Sequence, residues 1–176
     1  REGEIMGQKV NPISLRIGIT RIWNSNWFVA NKERYKTFLH EDLNIRTFIK
    51  KNFFQSGISK IEIERSSNDK VRLIIFCSKP GLLIGRKGAD IDLLRKNLSK
   101  LVGKEIFIDI KEVKRPEVDS QLVAENIGLQ LERRVAYRMA MKRSLTSALR
   151  LGAIGIKIMV SGRLNGAEIA RSEWYR

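Results

Sequence analysis

The sequence predicts an α+β protein of two small domains, and three observations carry that prediction. Strand-like apolar runs at 61–64, 71–76 and 106–110 alternate with stretches whose apolar residues recur every three or four positions. Residues 111–116 form a charged connector, after which helical patterns resume and one more clear strand follows. With 176 residues, 43% hydrophobic and 30% charged, the chain can bury one or two compact cores and is not composed like a disordered tail. The expected division is a basic N-terminal extension over 1–37, a first domain over 38–114 and a second, incomplete α/β domain over 115–176.

The extension reads as irregular, with Lys9, Arg16, Arg21, Lys32, Arg34 and Lys36 interleaved with Trp23, Trp27, Phe28 and Tyr35. Cations among aromatics suit RNA grooves and stacking on bases. Trp23 and Trp27 are expected first of all to cover the domain body. Met6-Gly7 reads as a natural start, so residues 1–5 carry no functional weight. Over 37–54, Leu39, Leu43, Phe48, Ile49 and Phe53 predict a helix that Gly57 stops. Ile61 and Ile63 alternate with Glu62 and Glu64, Ser66-Ser67-Asn68-Asp69 turns the chain, and 71–76 completes a hairpin. Pro80-Gly81 breaks that strand, and Leu82-Leu83-Ile84 fits one helical turn. A helix to Val102 then carries Ile91, Leu94, Leu98 and Leu101 on one face until Gly103 ends it. Ile106, Ile108 and Ile110 supply the third strand.

Between the short helical turn and the long helix lies Gly85-Arg86-Lys87-Gly88. Glycine lets a main chain approach a sugar-phosphate without a Cβ in the way, while two cations at the tip reach phosphate oxygens. The N-terminal end of the following helix favours anions. A GxxG alone specifies little more than a tight turn. Its setting adds the rest: the order helix, strand, strand, short helix, GxxG, helix, strand resembles that of the bacterial-type (type II) KH domain. That resemblance implies a groove for single-stranded nucleic acid, with Ile84 under the bases and Arg86 and Lys87, flanked by Gly85 and Gly88, on the backbone.

In the second domain, 122–134 and 137–151 read as consecutive helices with a bend near Val135, and Asp119 or Ser120 as the N-cap. The interval 133–150 holds Arg133, Arg134, Arg138, Lys142, Arg143 and Arg150 and no acid. On a helical wheel Met139, Lys142, Arg143, Thr146 and Arg150 share one face, and Tyr137, Met141, Leu145 and Ala148 another. Six cations without an acid repel one another unless a polyanion lies near. Residues 155–162 alternate as a strand, and another element begins at Ile169-Ala170-Arg171. So small a sheet does not cover two helices, and the domain reads as truncated.

The chain's 34 Lys and Arg against 19 Asp and Glu give a net charge of +15, expected of a protein that lives against a polyanion. No run of eighteen apolar residues exists to span a bilayer. The single cysteine, Cys77, reads as a buried free thiol, and the single histidine, His40, removes histidine-based triads and most zinc sites. Asp90 and Asp92 face apart on their helix and read as solvated or capping carboxylates rather than a catalytic pair. The expectation is a non-enzyme without cofactor, metal, membrane or small-molecule substrate.

Four stretches together resemble one family: Met6-Gly7-Gln8-Lys9-Val10-Asn11-Pro12, Trp23-Asn24-Ser25-Asn26-Trp27, the GxxG segment, and Ser161-Gly162-Arg163-Leu164-Asn165-Gly166-Ala167-Glu168-Ile169-Ala170-Arg171. The chain is identified as a member of the S-three family of small-subunit ribosomal proteins, of bacterial or organellar type. The resemblance implies a structural constituent of the small-subunit head, on cytoplasmic or organellar ribosomes, that binds small-subunit rRNA beside proteins S-ten, S-fourteen and S-two. It also implies that cations of the second domain line the channel where mRNA enters and help to unwind it. By motif these are Arg138 and Lys142, with Arg134 and Arg143 nearby. Family members commonly carry a second arginine where this chain has Met139, so one cation is missing, and either the entry contact is weaker here or Arg143 or Arg134 compensates. Lys9, Arg16, Arg21, Arg163 and Arg171 are the expected rRNA contacts. A KH-type assembly or accessory factor is the alternative, although the GxxxxGK[ST] loop of GTPase partners is absent.

Overall fold

A computed structural model of the chain describes residues 10–66 and 70–176. Lys9 and the predicted turn at 67–69 lie outside the described residues.

The N-terminal segment is less irregular than its composition suggests. Asn11 accepts from the Ile13 and Ser14 amides and opens a short helix, α1 (Pro12–Arg16), with proline at its first position. Ser25–Asn26 forms a two-residue strand, β1. The next helix, α2 (Lys32–Asn52), starts five residues before the apolar periodicity does, because Asn31 caps it through the Glu33 amide at 2.9 Å and 32–36 are good helix formers with little apolar signal. Its buried stripe is Phe38, Asp42, Ile45 and Ile49.

Strands β2 (Ile58–Arg65) and β3 (Lys70–Cys77) pair antiparallel, and β4 (Glu105–Glu112) joins β3 in parallel, with β1 beside β2 at the edge. A parallel return needs a crossover, and the sequence supplies it as α3 (Pro80–Ile84), the GxxG loop and α4 (Ala89–Val102). The sheet's buried face, Ile61, Ile63, Val71, Leu73, Ile75, Ile106 and Ile108, packs with Ile45 and Ile49 of α2 and Leu94 and Leu98 of α4. Cys77 is a fully buried free thiol whose pKa burial pushes up, with Glu112 adding to the rise. The opposite face is a charge checkerboard in which Arg72 meets Asp109 at 2.6 Å and Glu64 at 3.6 Å, and Lys60 and Lys111 flank the Phe76 ring.

Asp119 caps α5 (Ser120–Glu132), accepting from the Gln121 and Leu122 amides. A full break over 133–136, rather than a bend, separates α5 from α6 (Tyr137–Arg150), since Arg134 takes a left-handed φ of 61°. A hairpin of β5 (Ile158–Gly162) and β6 (Arg171–Tyr175) completes the second unit. Its core is small, Ile127, Tyr137, Met141 and Ile158, while Ile154, Met159, Ile169 and Trp174 stay exposed. Lys50–Glu125 at 3.0 Å and Ser59 Oγ to Asp119 Oδ2 at 2.6 Å tie the two units together across a cleft of about 500 Å³.

Candidate nucleic-acid interface

The GxxG loop is a run of unusual backbone. Gly85 sits at φ 71°, ψ −172°, a region that side chains exclude, and Gly88 at φ 82° caps α4. Lys87, between them, holds φ 55° with a full side chain. Arg86 and Lys87 are exposed and make no ion pair among the described residues, and Ile84 is exposed beside them. The first turn of α4 already carries Asp90 and Asp92. Asp90 folds back over Gly85, where a Cβ would collide with its carboxylate, and Asp92 lies 3.8 Å from Arg95. Both acids are exposed and neither caps α4 through a side-chain hydrogen bond, and the cations reach out from a loop whose helix end is partly neutralised.

The second-domain cations divide between two places. Arg138 and Lys142, one turn apart on α6, face the β5–β6 hairpin. Arg138 donates from Nε and Nη2 to the two carboxylate oxygens of Glu173, at 3.3 and 3.0 Å, and the Tyr137 hydroxyl donates to the same carboxylate at 2.7 Å. These contacts, Arg138 first, hold the Glu173 carboxyl below the ordinary range, while the Glu173 bond raises the Tyr137 hydroxyl and the Arg138 guanidinium. So the acid missing from 133–150 is supplied from β6, and Arg138 is not a free cation. Lys142 has no acid partner among the described residues and lies 5.8 Å from the Tyr175 ring centroid. Arg143 turns instead to the cleft between the units, beside Ser144, Ser147 and Lys79. Met139 is exposed between Arg138 and Lys142.

Of the remaining candidates, Arg16 and Arg21 lie together, Arg16 curling back to the Pro12 carbonyl at 2.7 Å and its own carbonyl accepting from the Arg21 amide. Arg163 and Arg171 meet at one end of the hairpin, where Gly162 pairs with Arg171 and Arg163 Nε donates to the Ala167 carbonyl. All four are exposed.

Sequence reasoning missed a polar network under the N-terminal segment. Arg65, with a side chain 2% exposed, pairs with Asp42 at 2.6 Å and Glu41 at 2.7 Å and stacks on Phe38, while Lys104 reaches Glu41. Trp27 Nε1 and the Ser25 hydroxyl donate to Asp42, and Arg46 binds the Asn24 carbonyl, where burial lowers its pKa. Trp27 thus packs on the domain with Tyr35 and Phe38, as expected, whereas Trp23 stays exposed. The available signal was Asp42 itself, an acid on the apolar stripe of α2.

Comparison with known proteins agrees with this architecture. The profile of the KH domain matches residues 44–118, and that of the ribosomal protein S3 C-terminal domain matches 127–176. The chain is 58% identical to small ribosomal subunit protein uS3 of Desulfatibacillum aliphaticivorans over 97% of its own length and 77% of that protein. It is 56% and 57% identical to the proteins of the same name from Geobacter sulfurreducens and Geobacter metallireducens, over 97% of this chain and 80% of each.

Proposed function

This chain belongs to the uS3 family of small ribosomal subunit proteins, and from that premise we propose that it lines the channel through which mRNA enters the subunit. Its role is that of a structural, RNA-binding, non-enzymatic ribosomal protein. In the finer reading it sits on the subunit head beside proteins S-ten, S-fourteen and S-two. The KH loop (Ile84–Gly88) and the cations Arg16, Arg21, Arg163 and Arg171 hold small-subunit rRNA, and Arg138 and Lys142 touch incoming mRNA. Such unwinding needs no nucleotide site of its own, because translocation supplies the work and the cations hold the separated strands.

The observation that carries this reading is the division of exposed cations into two sets on separate units: Arg86 and Lys87 on the GxxG loop, and Arg138 and Lys142 on α6. Two sets make two separable phenotypes. Arg86→Asp with Lys87→Asp is expected to weaken binding of the chain to isolated single strands. Changing Arg138 and Lys142 to Ala spares assembly into small subunits and slows passage of structured mRNA. Met139→Arg adds a cation on the exposed face of α6 and speeds that passage. Titration of the chain with a single-stranded oligonucleotide reads the first, helicase assays on reconstituted subunits read the other two, and rates equal to the unaltered chain's for both would remove Arg138 and Lys142 from the mRNA path.

A further inference from the structure

Arg138 is the only one of the candidate RNA-contacting cations among the described residues that carries a counter-ion. Its partner comes from 35 residues downstream, and the pair is two-toothed: Nε meets Oε2 at 3.3 Å and Nη2 meets Oε1 at 3.0 Å. The carboxylate is itself fixed by the Tyr137 hydroxyl at 2.7 Å, so it is held in place and does not swing away with the exposed guanidinium. Arg138 is 64% exposed and Glu173 30%, which leaves the outer edge of the guanidinium open to solvent. A guanidinium binds phosphate best through two parallel N–H bonds, and Glu173 occupies one of the two edges that can do this. A phosphate on the remaining edge must then share the cation with a carboxylate a few ångströms away.

We propose that Glu173 is a charge-matched brake on Arg138: it keeps the hold of α6 on a passing RNA strand weak enough to release, and is a positioning residue for the channel contact. This rests on the reading of Arg138 as an RNA-contacting cation. A strand that moves through a channel must be gripped and let go at each step, so one neutralised cation next to the unpaired Lys142 suits transport better than two free ones. The acid is not generic surface charge. It is delivered by β6 to α6, which has no acid of its own.

The test is binding of the full chain to a labelled oligouridylate across a salt series. Glu173→Gln retains an acceptor for the Tyr137 hydroxyl and removes only the charge. Affinity is expected to rise about threefold at low salt, the Coulombic effect of one unit charge at this separation in a near-aqueous dielectric, and the gain fades as salt screens it. Glu173→Asp keeps the charge and gives no gain. Glu168→Gln, an exposed acid in the hairpin connection, gives none either. In an Arg138→Ala background the effect of Glu173→Gln disappears. A gain that persists without Arg138, or that Glu173→Asp reproduces, overturns the brake. So does unchanged or weaker binding by Glu173→Gln while Arg138→Ala still weakens binding, an outcome that leaves the channel reading intact. If Arg138→Ala itself changes nothing, the channel reading and the brake fall together.

Discussion

Lys87 and Arg134 both carry a backbone cost, but that of Arg134 is explained by a helix end: as the left-handed residue closing α5, its amide donates to the Leu131 carbonyl at 2.9 Å and the Val135 amide to the Gln130 carbonyl at 3.0 Å. Both hold left-handed backbone, φ 55° and 61°, and both are exposed cations at candidate contacts, whereas Asn165, the third such residue, is of a type that tolerates it. Strain such as that at Lys87, which no helix end accounts for, clusters at binding sites and persists where the surrounding structure over-determines it. Lys87→Asn should therefore raise stability by about 0.5–1 kcal/mol while weakening oligouridylate binding, opposite signs that a denaturation curve and a titration measure separately. Loss of both together would mean that Lys87 serves the fold. Asp42 is the reverse case. Its carboxylate is buried and accepts from Arg65, Trp27 and Ser25, and Arg65 is buried with it. Asp42→Ala leaves those donors facing apolar surroundings, and urea denaturation should show a loss of about 3–5 kcal/mol. A change below about 1 kcal/mol would show that Glu41 alone satisfies Arg65.

At the scale of elements, the GxxG loop depends on two glycines for different reasons. Gly85 needs both its φ/ψ, which side chains exclude, and the space that the Asp90 carboxylate fills. Gly88 needs only its left-handed φ, since a Cβ there would meet nothing closer than Ile91 Cγ2 at 3.9 Å. Gly88→Ala should cost about 1 kcal/mol and Gly85→Ala about 3 kcal/mol, with part of the latter recovered in Gly85→Ala with Asp90→Gly, since an added Cβ would lie 2.7 Å from the Asp90 Cβ as well as against its carboxylate. Equal losses, or no recovery, would place the strain elsewhere. The loop was legible in the sequence because glycine spacing and flanking apolar periodicity are local signals. The strands were too, since Ile61, Ile63, Ile106 and Ile108 alternate and all are buried. The early start of α2 was hidden, because Asn31 acts through a cap and not through periodicity. β1 was hidden for another reason: two residues of extended chain have no pattern until β2 lies beside them. The Arg138–Glu173 pair was beyond reach for the same reason, being a contact across 35 positions that only the hairpin's docking on α6 creates.

Across the whole molecule, stability and candidate RNA contacts are distributed unequally. The first unit buries a continuous set from α2, all three long strands and α4, many of them, such as Ile63, Val71, Leu73 and Ile75, fully. The second rests on Ile127, Tyr137, Met141 and Ile158, under a two-stranded hairpin of a kind that is marginal without packing. The ties between the units are few, and Lys50–Glu125 is half-exposed, worth about 0–1 kcal/mol. The second unit should therefore open without the first. Native-state hydrogen exchange of the free chain is expected to show the slowest amides in β3 and α4 and markedly faster ones in α6, β5 and β6, with the two groups responding differently to denaturant. A single shared opening energy would contradict this and would mean that the cleft transmits folding from one unit to the other. On the subunit, rRNA and neighbouring proteins supply surface that the free chain lacks, so exchange of α6 and the hairpin should slow far more on assembly than that of β3. The unit that carries Arg138 and Lys142 is then the one whose order depends most on the ribosome, since whatever binds the folded form alone adds to its stability.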